Sequence, residues 1–88
     1  MMTKKQRLEI YKKMLKWFED GYNQYSYPGF CVAISRLTGE EHVCLKRYPE
    51  LMKYKPKKLY SFYYWFGTAE KGINKRKQIL RKIIKEMS

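Results

Sequence analysis

Apolar residues at helical spacing mark both ends of this chain, and they constrain its fold more than any other feature. Near the start, Leu8, Tyr11, Leu15 and Phe18 recur at three- and four-residue intervals, flanked by Ile10, Met14 and Trp17. Near the end, Ile73, Ile79, Leu80, Ile83, Ile84 and Met87 build a second stripe, with Lys75, Arg76, Lys77, Arg81, Lys82 and Lys85 read as its polar face. A stripe of this period buries itself against another element. Two of them in 88 residues leave room only for short pieces between. The expected fold is therefore all-α: one small compact domain over residues 1–88, two long terminal helices, short helices, and an extended aromatic segment between them.

Local signals sharpen the boundaries. Thr3-Lys4-Lys5-Gln6 fits a capping box, Gly21 is placed to end a helix from about 4 to 20, and Glu9 with Lys13 forms an i,i+4 pair. Pro28-Gly29 signals a turn. Residues 30–37 suit both a helix and a short buried strand; helix is expected, ending at Thr38-Gly39. Glu40 and Glu41 suggest a further helical segment through Leu45, and Pro49 suits the first position of a single turn. Gly67-Thr68 offers the last helix an N-cap, although Gly72 allows its start to slip to Asn74.

Twenty Lys and Arg against eight Asp and Glu give a net charge of +12. Self-repulsion at that density opposes compaction, so the excess points to an anionic partner. It concentrates where Lys53, Lys55, Lys57 and Lys58, broken by Pro56, run into Tyr60, Phe62, Tyr63, Tyr64, Trp65 and Phe66. Cations beside flat π-faces suit an anionic, stackable ligand. The candidate ligand-binding residues are Lys53, Lys55, Lys57, Lys58 and Arg76 for charge, with Tyr60 and Tyr64 for stacking. The same aromatics are equally able to form core or to anchor a protein interface.

Catalytic signals are weak. Cys31 or Cys44 with His42 is the one thiol–imidazole set, and it lacks nucleophile or zinc spacing; the cysteines are expected as two buried thiols. No Gly-rich phosphate loop is present, and the acid pairs Glu19-Asp20 and Glu40-Glu41 fit helix ends better than acid–base work. No enzyme activity, cofactor or metal is expected. With no apolar run of membrane-spanning length and no secretory signal, a cytosolic protein is expected.

The order Gly29-Phe30-Cys31, Tyr48-Pro49-Glu50-Leu51, Lys55-Pro56, Tyr64-Trp65-Phe66 and Arg76…Leu80…Ile83-Ile84 resembles small accessory proteins of phages and prophages of gut anaerobes, over about residues 29–84. The resemblance implies a protein made inside a bacterial host cell and acting on host defence or host machinery. It supplies no site residues. The expectation is a non-enzymatic binder of nucleic acid or of a nucleotide immune messenger, plausible in counter-defence. A messenger trap this small would need a pocket shared between protomers of a homo-oligomer. The alternative is a protein-interaction module, an inhibitor of a host complex or a virion component, anchored by the aromatic block.

Overall fold

The computed structural model describes residues 2–20, 29–56 and 70–88. The described residues form four α-helices and one 3₁₀ turn, with no strand among them: α1 (Lys4–Glu19), α2 (Phe30–Thr38), the turn (Leu45–Arg47), α3 (Pro49–Met52) and α4 (Glu70–Met87). The aromatic block lies outside the described residues, as do Gly21 and Gly67-Thr68. A radius of gyration of 12.1 Å matches close packing for this length.

The start of α1 follows from its capping box. Thr3 Oγ1 accepts from the Gln6 backbone at 3.1 Å, and the Gln6 side chain accepts from the Thr3 backbone at 2.8 Å. Residues 30–37 are helical. Gly39 closes α2 in the left-handed conformation at φ 80°, which costs a residue with a Cβ more than it costs glycine. The helix expected from Glu40 is not there. Ser35 Oγ donates to the Glu40 carbonyl at 2.6 Å and Thr38 Oγ1 accepts from the Glu40 backbone at 3.2 Å. These two side chains hold Glu40 in the turn after α2, and helical backbone resumes only at Leu45. Pro49 opens α3, where its missing N–H and fixed φ fit the first turn.

The terminal helices lie against each other, and α1 also packs on α2. The core they enclose contains Tyr11, Met14 and Phe18 from α1, Phe30, Cys31, Ala33 and Ile34 from α2, and Ile73, Ile79, Leu80 and Ile83 from α4. Leu45, Tyr48 and Leu51 join it from the middle segment. Trp17 packs half-buried at its edge, its ring centroid 5.5 Å from that of Phe18. Polar contacts pin the middle segment to both long helices. Glu50 on α3 accepts from Arg7 and Tyr11 of α1, and Glu86 near the end of α4 accepts from Tyr54 at 2.7 Å.

Candidate functional site

The residues expected to bind the ligand fall into three groups. Lys53 and Lys55 are exposed just after α3. Lys57, Lys58, Tyr60 and Tyr64 lie outside the described residues. Arg76 is fully buried, which corrects its expected placement on the polar face of the last helix. It sits three residues after Ile73 and four before Leu80, so it shares their core-facing side of α4 rather than the polar face. The register that buries Ile73 and Leu80 buries Arg76 with them.

The same register exposes a different set. Lys71, Lys75, Gln78, Lys82 and Lys85 recur at intervals of four, three, four and three residues, and all are exposed. They form one stripe along the outer face of α4, opposite the buried stripe. At about 1.5 Å per residue the stripe is about 21 Å long. Asn74 is also exposed, one turn before Gln78.

The placement of the acids decides how much of this charge is available. Among the described residues, six of the eight acids are in salt bridges: Glu9 with Lys12, Glu19 with Arg81, Asp20 with Lys16, Glu40 with Arg47, Glu50 with Arg7, and Glu86 with Lys53. Glu9 thus pairs at i,i+3 with Lys12, at 3.9 Å, instead of with Lys13. Lys71, Lys75, Lys82 and Lys85 form no salt bridge with a described residue. Lys53 is partly committed, 3.4 Å from Glu86 and 5.7 Å from the centre of the Tyr54 ring. The hydrogen bond from Tyr54, with help from Lys53 and Lys82, holds the Glu86 carboxyl below its ordinary value, so it stays ionised at the stripe's edge.

Two concave regions lie elsewhere. One is a groove between α1 and the end of α2, made of hollows of about 510 and 260 Å³ that meet at Lys13 and Leu37. Ile10, Trp17 and Leu37 supply its apolar wall, and Lys5, Lys13 and Lys16 its cations. The other, of about 410 Å³, is lined by Cys31, Ser35, Arg36, Glu41 and His42. Burial first, and then the neighbouring Cys44, push the Cys31 thiol above its ordinary value, which disfavours the thiolate a nucleophile needs. Cys44 is exposed, not buried as expected, and both cysteines are free. Among the described residues no His, Cys, Asp and Glu cluster is arranged to hold a metal, and no helix is long and apolar enough to cross a membrane.

Comparison with known proteins finds no matching family model, curated sequence or solved structure. The candidate site is described by its geometry alone: a row of exposed lysines, with Gln78 among them, along one face of α4.

Proposed function

We propose that this protein is a non-enzymatic nucleic-acid-binding protein that uses the outer face of α4 to contact the phosphate backbone. The observation that carries the reading is the line of exposed lysines at positions 71, 75, 82 and 85, none in a salt bridge with a described residue, on a chain whose acids mostly pair with other bases. Phosphates on one strand repeat about every 3.4 Å of duplex axis, so a stripe of about 21 Å faces about six of them. An extended charge line suits a repeating polyanion better than a compact nucleotide messenger, which needs a pocket that surrounds it. The resemblance to phage accessory proteins fits such a role within a bacterial cell, in counter-defence or on host nucleic acid.

The test is fluorescence anisotropy with labelled duplex DNA over about 50 to 200 mM salt. Four neutralised phosphates give a slope of about −3.6 in log affinity against log salt. The K71Q/K75Q/K82Q/K85Q variant keeps helix propensity and loses most of that slope. Unchanged binding by that variant would overturn the assignment.

The groove beside α1 favours a second reading, a protein-interaction module. A half-buried Trp17 flanked by Ile10 and Leu37 has the composition of an interface anchor. Under this reading W17A abolishes partner capture, and the α4 lysines change only association rate and salt dependence.

A further inference from the structure

We propose, resting on the nucleic-acid reading above, that α4 enters the major groove of duplex DNA and that Asn74 and Gln78 read adenine there. The two amides are exposed one helical turn apart, on the face that carries Lys71, Lys75, Lys82 and Lys85. Neither hydrogen-bonds to a described residue, so their donors and acceptors are available. Asparagine is a mediocre helix former, and its exposed position in the second turn of α4 gives it no packing work. A base contact accounts for its place.

The chemistry selects the base. The side-chain amide of Asn or Gln donates to one edge atom and accepts from its neighbour, matching the N7 acceptor and N6 amino donor of adenine in the major groove. Guanine is read by Arg or Lys, and the proposal assigns the four lysines of this face to phosphate. The nearby Arg81 is instead tied to Glu19 at 3.1 Å. Lys71, Lys82 and Lys85 beyond the two amides, and Lys75 between them, suit the phosphate contacts that fix register, while the amides carry the sequence information. The dimensions agree: a helix with its side chains is about 10–12 Å across, and the B-form major groove is about 12 Å wide. The deep, narrow major groove of A-form RNA excludes the same approach.

The experiment compares the intact protein and its variants on equal-length labelled duplexes. One set carries paired adenines, one is G·C only, one replaces adenine with 7-deazaadenine, and one is duplex RNA. The adenine duplex should bind about tenfold more tightly than the G·C duplex. The 7-deaza duplex, which lacks the major-groove N7 acceptor but keeps the minor groove intact, should lose most of that preference. N74A/Q78A should remove the preference and keep the salt slope. Wild-type protein that binds all DNA duplexes equally, or an N74A/Q78A variant that retains the preference, overturns the inference. Equal binding to duplex RNA does so as well. If the lysine variant still loses its salt slope in those cases, the backbone-binding reading survives without the base readout. If the lysine variant binds like wild type, both fall.

Discussion

Glu50 accepts two hydrogen bonds from Arg7, at 2.8 and 3.0 Å, across 43 residues of sequence. Its Oε1 also accepts from the Tyr11 hydroxyl at 2.7 Å. Arg7 in turn donates to the Met2 carbonyl at 3.2 Å, so one carboxylate gathers α3, the middle of α1 and the chain just before it. The planar guanidinium matches the carboxylate fork, and the pair is only about a fifth exposed, at 17% and 21%. Removing the carboxylate strands a part-buried cation and the hydroxyl of a fully buried tyrosine. Glu50→Ala should cost about 2–3 kcal/mol, and Glu50→Gln, which keeps an acceptor for Tyr11, about half as much. Urea unfolding of both variants checks the order; equal costs would mean that packing, not hydrogen bonding, dominates at this position.

Stability should decline at both ends of the pH scale, for opposite reasons. Burial alone would raise the Glu50 carboxyl, but the hydrogen bonds from Arg7 and Tyr11 outweigh it and hold the group below its ordinary 4.5. A lowered folded value means the unfolded chain takes up the proton first. The contribution is complete above pH 4.5 and is lost as pH falls through the folded value. At the alkaline end, burial and then the bond to Glu40 push Tyr48 up to about 12 from 10. Tyr11 is raised as well, by burial and by Glu50. Each contribution is complete below pH 10 and is lost as pH rises through that tyrosine's folded value, near 12 for Tyr48 and higher for Tyr11. Denaturation midpoints measured against pH should show both declines. Glu50→Gln should flatten the acid one and, by removing the carboxylate that helps raise Tyr11, lessen that residue's part of the alkaline one.

Much of the frame was legible because it rests on local rules. Thr3 with Gln6, Pro49 at the start of a turn, and Gly39 after a helix each act through their own backbone, so their spacing suffices. The long stripes were legible because Tyr11, Phe18, Ile73 and Leu80 keep helical period. What failed was the assignment of charge to surface. Residue type alone groups Arg76 with its lysine neighbours, although its offsets from Ile73 and Leu80 place it on the buried side. Those same offsets, applied to Lys71, Lys75, Lys82 and Lys85, would have found the exposed line. Glu40 misled for another reason: tertiary placement of Ser35 and Thr38 captures its backbone, and acidic residues after a glycine do not by themselves specify a helix start.

Neighbouring Lys75 and Arg76 should therefore behave oppositely. Arg76→Ala removes a long side chain that is fully buried and should cost about 2–4 kcal/mol of stability. Folded Arg76→Ala protein should bind DNA with the wild-type salt slope. Lys75→Gln, at an exposed position, should change stability by less than about 0.5 kcal/mol and should reduce the salt slope by about 0.9. Chemical denaturation and salt-dependent anisotropy on the two variants separate the roles. A reduced slope in Arg76→Ala would return that arginine to the binding surface.

The two cysteines report on the packing of α2 in the same way. Cys31 lies in the core, 7% exposed, and its thiol is held above its ordinary value by burial and by Cys44. Cys44 is exposed just before the 3₁₀ turn. Alkylation needs both access and thiolate, and Cys31 is short of each. Iodoacetamide should therefore modify Cys44 promptly in the native protein and Cys31 only through opening of the core, at a rate that follows unfolding free energy. Because Glu50→Ala weakens the global fold, it should accelerate Cys31 labelling and leave Cys44 unchanged. Peptide mass mapping over time reads both sites together. Cys31 labelling as fast as Cys44 in the wild type would show that α2 does not seal the core.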